Sequence, residues 1–302
     1  MTKFLLFLLF FLLGSAVTLL VMTKYQSRPV EKAEEKSNAP VVDWAKIQKE
    51  VLPNQGYVLP VNYGDLGPKL VKAGVIDLTK FETNFASVGG LTDEEKEILS
   101  GKGDNPIRID GKNATFVVDF FWALGLSNRN VILQKGPMAK DATPIDQFAS
   151  TAGWTLGKKS GVIYYSKYSI LSLTEDQQKV VEEVTGNVYR PCCGNSAAFP
   201  DCNHGMAILG LTEVLASQGY TADQIYPMLL KFQVYWFPQT YLDLASYWQI
   251  KGQSWSSLSA KMLLGSDFSS GQGFSRIQAD LTTLLGVNST RPWNKGGGGC
   301  GV

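Results

Sequence analysis

The sequence has a single histidine in 302 residues, His204, and only four cysteines. One imidazole excludes the metal centres that a chain builds from two or three histidines, and four cysteines in so long a chain do not make a disulfide scaffold. If all four paired, three connectivities would remain open. Charge of one sign is missing too. The 28 basic residues stand against 27 acidic ones, for a formal net charge of +1, and no block of basic residues occurs. No nucleic-acid partner is therefore expected. The charged fraction, 18%, is below the usual quarter, which leaves a rather uncharged surface. No G-x-G-x-x-G, Walker loop, H-E-x-x-H or G-x-S-x-G is present, and no fixed-period repeat. Gly89-Gly90 and Ser269–Gly273 read as loops rather than phosphate cradles.

What chemistry there is concentrates in one stretch, Tyr189-Arg-Pro-Cys-Cys-Gly-Asn-Ser-Ala-Ala-Phe-Pro-Asp-Cys-Asn-His-Gly205, which holds three cysteines and the histidine. Downstream of it Met206, Leu209, the pair Ile208/Leu211 and Leu215 recur at helical spacing, and Gly219 suits the position just past a helix end. Asp201 and Asn203 are both natural N-cap types, which puts Cys202 at or just outside a helix N-terminus. Free N–H groups and the helix dipole there ease thiolate formation. Phe199-Pro-Asp201 reads as a turn that brings Cys192 and Cys193 back toward Cys202. With His204 they make a set of three thiols and one imidazole, suited to Zn2+ or to a soft ion such as Cu(I). The spacing matches no common zinc-finger pattern, and since successive side chains diverge, a site here need use only one of Cys192 and Cys193. Two other readings use the same residues. One is a structural disulfide from Cys202 to Cys192 or Cys193; the other is a catalytic Cys202 with His204 as base.

The Tyr189–Ala207 motif, Trp236-Phe-Pro-Gln-Thr-Tyr241 and the ending Gly-Gly-Gly-Gly-Cys300-Gly-Val302 together resemble a bacterial family of membrane-anchored proteins. The resemblance covers most of the chain beyond the apolar N-terminus. No activity is known for that family, so it implies no functional residue.

Phe4 to Met22 is an uncharged run that spans roughly 28 Å as a helix, long enough to cross a bilayer. It continues past the small residues Gly14-Ser-Ala16, which favours an uncleaved anchor over a cleaved signal peptide. Lys24, Arg28, Lys32 and Lys36 come after it, and a literal positive-inside count would keep the rest of the chain in the cytoplasm. The three-residue tail before the run is instead the layout of a signal anchor that exports the chain behind it. The expected organisation is a transmembrane signal anchor at 1–23, a polar tether at 24–40, a mainly α-helical globular domain with few short strands at 41–290, and a Gly-rich flexible tail at 291–302. That places the domain outside the cytoplasm, anchored by a single pass to the cell membrane. With about 8 flexible residues, the tail has an r.m.s. reach of roughly 16 Å, so Cys300 is a candidate fourth metal ligand or resolving cysteine.

Within the domain, Asp43, Thr92, Thr174 and Thr221 mark helix starts, the last three as capping boxes with Glu95, Gln177 and Gln224. Asn113–Gly125 reads as a buried helix ended by Gly125, with its one charge, Asp119, facing solvent or capping a neighbour; the alternative is a buried acid serving the site. Ser127–Thr143 reads as loop, Ile145–Leu156 as a helix interrupted at Gly153, Gly161–Leu171 as strand or helix, and Ser257–Leu264 as a helix. Tyr235, Trp236, Phe237, Tyr241, Tyr247 and Trp248 are expected to pack on the 205–218 helix rather than to line an aromatic groove. The leading expectation is a metal-binding protein for zinc or copper through Cys192, Cys193, Cys202, His204 and Cys300. A thiol enzyme and a disulfide-stabilised surface scaffold are the alternatives.

Overall fold

Local start and stop signals account for most of the elements. The computed structural model describes residues 42–286 together with 291 and 292. Asp43 accepts from the Lys46 N–H and opens α1 (Trp44–Val51). β1 (Tyr57–Asn62) follows, then α2 (Leu66–Lys72) and α3 (Leu78–Ala86), the latter opened by Asp77. Thr92 and Glu95 close a reciprocal capping box at the start of α4 (Asp93–Ser100). β2 (Pro106–Ile109) pairs antiparallel with β1, Tyr57 opposite Ile109, and the two strands form the one sheet among the described residues. Helices make up the remainder: α5 (Ala114–Ser127), α6 (Val131–Lys135), α7 (Ala149–Ala152), α8 (Glu175–Asn187), α9 (Asn203–Ser217), α10 (Ala222–Trp236), α11 (Pro238–Ile250), α12 (Ala260–Leu263), α13 (Ser266–Ser269) and α14 (Gly271–Leu285). The expected mainly helical domain with few strands is what forms. All described residues belong to one unit, 40–302, around one hydrophobic core.

The centre of that core is the pair α5 and α9. Both are apolar on nearly every face, and α5 buries every residue from Phe116 to Ser127. They meet through glycine: a Cβ on Gly125 would lie 2.1 Å from the Met206 carbonyl oxygen, and one on Gly210 2.4 Å from that of Phe121. Gly125 therefore does not end α5 as its position suggested. It lets two backbones touch, and the helix runs on to Ser127, with Asn128 as its C-cap. Beyond that end, Asn130 Nδ2 donates to Glu213 Oε1 of α9 at 2.6 Å, so the C-terminal end of α5 lies beside the C-terminal half of α9.

Other expectations are corrected by packing. Asp119 is buried rather than solvent-facing, and burial pushes its carboxyl up to about 7. The 127–143 loop contains α6, capped by Asn130, whose side chain accepts from the Ile132 N–H. Only Ala149–Ala152 of the 145–156 helix forms, preceded by a 3-10 turn, and Gly161–Leu171 is neither strand nor long helix but a 3-10 turn and irregular chain. Gly161 explains the last: a Cβ there would sit 2.1 Å from the Thr151 carbonyl oxygen, so close tertiary approach sets its conformation. The 257–264 helix is split between a 3-10 turn and the single turn α12. Pro238 breaks the chain between α10 and α11 as expected, with Phe237 as the shared cap. No helix of the described residues is long and apolar enough to cross a membrane. The anchor at 1–23, the tether at 24–40 and Cys300 lie outside the described residues.

Candidate metal centre

The cysteine loop joins α8 to α9 and is held on three sides. The Tyr189 N–H donates to Leu264 O at 2.8 Å, Gln233 Nε2 of α10 donates to Tyr189 O at 2.7 Å, and the Gly271 N–H at the start of α14 donates to Cys193 O at 2.8 Å. Phe199 packs edge-on to Phe148, with ring centroids 5.5 Å apart, and the Ser150 N–H donates to Asp201 O at 2.9 Å. A turn at Arg190–Cys193, closed by the Cys193 N–H on Arg190 O at 3.1 Å, ends the alternation of successive side chains. That is why adjacent Cys192 and Cys193 both point the same way, against the expectation that they diverge.

The structure brings three thiols together. Cys193 Sγ lies 3.5 Å from both Cys192 Sγ and Cys202 Sγ, and Cys192 Sγ lies 3.8 Å from Cys202 Sγ. All three are free cysteines in this structure. A tetrahedral zinc–thiolate centre has sulfur–sulfur edges of about 3.8 Å, so the triangle is already near coordinating size. Cys192, Cys193 and Cys202 would together hold such an ion and supply it with three sulfur ligands.

Cys202 is the N-cap of α9. Its Sγ accepts from the Gly205 N–H at 3.4 Å, which realises the expected place at the helix N-terminus. Beneath it lies a residue that sequence reasoning passed over. Arg190 is 0% exposed, and its guanidinium donates to Cys202 Sγ at 3.3 Å, to Asn195 O at 2.9 Å and to Phe199 O at 3.0 Å, and pairs with the Asp201 carboxylate. Asn195 Nδ2 holds the other Asp201 oxygen at 2.9 Å. A cation over the first turn of a helix opposes the dipole. The compensating anions are Asp201 and Cys202. Hydrogen bonds from the Cys192 and Cys193 thiols, then the Arg190 charge, hold Cys202 well below the ordinary thiol range, while Cys192 is held above it by its bonds to Cys193 and Cys202. Of the three sulfurs, Cys202 is therefore the one most readily ionised. Gly205 is needed here because a Cβ would come within 2.9 Å of the guanidinium.

His204 is not brought into the cluster. The ligand atoms that gather within 4.8 Å of one another belong to Cys192, Cys193 and Cys202. The imidazole packs on Phe237 and Trp236, at centroid distances of 4.5 and 5.8 Å, and its Nδ1 is buried without a hydrogen-bond partner. Burial lowers it to about 4, so it is neutral and too weak a base to activate a thiol. Trp236 and Phe237 of the aromatic segment meet α9 through this ring; Tyr241 is fully buried and Trp248 packs on Phe268, so these side chains fill the core. A buried arginine two residues ahead of Cys192 has no distinctive sequence signal, since burial is not written in residue type. Searches against protein-family models, curated proteins and solved structures find no match to the chain.

Proposed function

We propose that this chain is a thiolate metal-binding protein that holds one zinc or copper(I) ion between Cys192, Cys193 and Cys202. The observation that supports it is the three-sulfur triangle, set over a buried arginine that donates to one of its sulfurs. Electrostatics favour zinc. Arg190 and Asp201 offset one another, so three thiolates with a divalent ion leave a single negative charge, and with a monovalent ion two. Cys300 is the proposed fourth ligand. Arg291, nine residues before it, pairs with Asp243 of α11 at 2.7 Å. Nine residues extend to at most about 30 Å. In this reading residues 1–23 anchor the domain at the cell membrane, with the thiol site outside the cytoplasm.

Metal content and free thiols of protein purified without chelator test the reading. One equivalent of zinc or copper that is lost in Cys202→Ser supports it, and an absence of metal with two or more thiols oxidised overturns it. The Arg190 contact favours one second reading, a thiol enzyme with Cys202 as nucleophile, because a thiolate that persists without metal is reactive. Zinc added before iodoacetamide protects Cys202 under the first reading and leaves it reactive under the second.

A further inference from the structure

A second feature is independent of the thiols. Residues 129–167 contain Arg129, Lys135, Lys140, Lys158, Lys159 and Lys167 against two acids, Asp141 and Asp146, a balance of +4 in a chain whose total is +1. All six basic residues are exposed. Contacts draw much of the stretch together: Arg129 Nη2 donates to Lys167 O at 3.2 Å, Tyr165 Oη to Leu133 O at 2.9 Å, and the Lys159 N–H to Tyr164 Oη at 2.7 Å. On it stand Val131, Val162 and Ile163, exposed by 41%, 39% and 43%. Neighbouring elements do not cancel the charge. Lys80 donates to Gly157 O at 2.8 Å, the Asp77 N–H donates to Leu156 O, and Glu182 lines a shallow cavity with Val131 and Lys135; with these three counted the face remains at +3.

The side-chain chemistry separates the possible partners. Protein interfaces are enriched in arginine and aromatic residues and depleted in lysine. Here five of six cations are lysine, and the exposed apolar groups are aliphatic. Flexible ammonium groups ringing short aliphatic side chains suit a layer of anionic headgroups, where each cation near the surface strengthens binding about fivefold. We propose that this face rests on an anionic lipid surface. The Phe148–Phe199 and Ser150–Asp201 contacts then put the cysteine loop beside the docked face.

Residues 41–302 carry their own core and can be tested apart from the apolar N-terminus. Their partition onto vesicles of phosphatidylglycerol mixed with phosphatidylcholine is compared with partition onto phosphatidylcholine alone, by co-sedimentation at low salt. The expected result is binding to the anionic vesicles only, weakened about a hundredfold in K158Q/K159Q/K167Q and little changed in K46Q/K49Q/K251Q, which removes as many charges elsewhere. An unchanged circular dichroism spectrum and melting temperature show that these exposed substitutions leave the fold intact. Equal partition onto both vesicle types, equal weakening by the two triple variants, or equally tight binding to duplex DNA would overturn the proposal. None of these results bears on metal content, so this inference and the thiol reading fail separately.

Discussion

Replacing Arg190 with methionine keeps much of the side chain's length and removes every N–H donor from beneath the cysteine loop. The Asn195 and Phe199 carbonyls, now at 2.9 and 3.0 Å from the guanidinium, lose their partner. Asp201 loses its cation, but its side chain is 27% exposed and keeps the Asn195 amide, so water recovers part of that loss. Removing one member of a buried pair costs about 3–5 kcal/mol, and with Asp201 discounted we expect about 3 kcal/mol. For a domain of this size that lowers the melting temperature by about 6–12 °C. A second readout isolates the charge. Without Arg190 the Cys202 thiol should titrate closer to an ordinary cysteine in metal-free protein, followed by thiolate absorbance, whereas Arg190→Lys should keep Cys202 acidic while still losing the carbonyl contacts. A melting temperature within a degree of wild type, together with an unchanged thiolate titration, would refute the reasoning.

Gly125→Ala should destabilise by about 1–3 kcal/mol or more in urea, because its Cβ meets the Met206 carbonyl at 2.1 Å. The same change at Gly186, where no atom lies within 4 Å of the added carbon, should stabilise α8 by up to about 1 kcal/mol. Burial pushes Glu213 up to about 8 against the pull of Asn128 and Asn130, so the folded chain holds a proton that the unfolded chain gives up near pH 4.5. Stability therefore falls as pH rises from about 4.5 to 8. Glu213→Gln should be near neutral at the acid end and gain several kcal/mol at the alkaline end in paired melts. His204 has the opposite sign. With a folded value of about 4 against 6.5, the unfolded state takes up the proton first, and stability is lost as pH falls through that window, by about 3 kcal/mol in full. His204→Leu should lack that acid loss when its stability–pH curve is set against wild type.

The sequence by itself determined the helices whose ends carry their own signals. Asp43, Thr92, Thr174 and Thr221 cap where their spacing predicts, Pro238 divides α10 from α11, and Cys202 stands at the start of α9, because capping is a contest among neighbouring backbone groups and short polar side chains. It also determined that the thiols would fall near one another, since a turn joins them. Tertiary structure decided the rest. Gly125 reads as a helix stop until Met206 is laid against it, and Gly161 reads as strand or helix until Thr151 approaches. Whether adjacent cysteines converge depends on one turn hydrogen bond from Cys193 to Arg190, and whether His204 joins them depends on Phe237 and Trp236 arriving from 33 and 32 residues downstream. Arg190 became visible as the support of the site only when the loop closed over it, because what makes it important, a charge wholly removed from water, is a property of the fold and not of the residue.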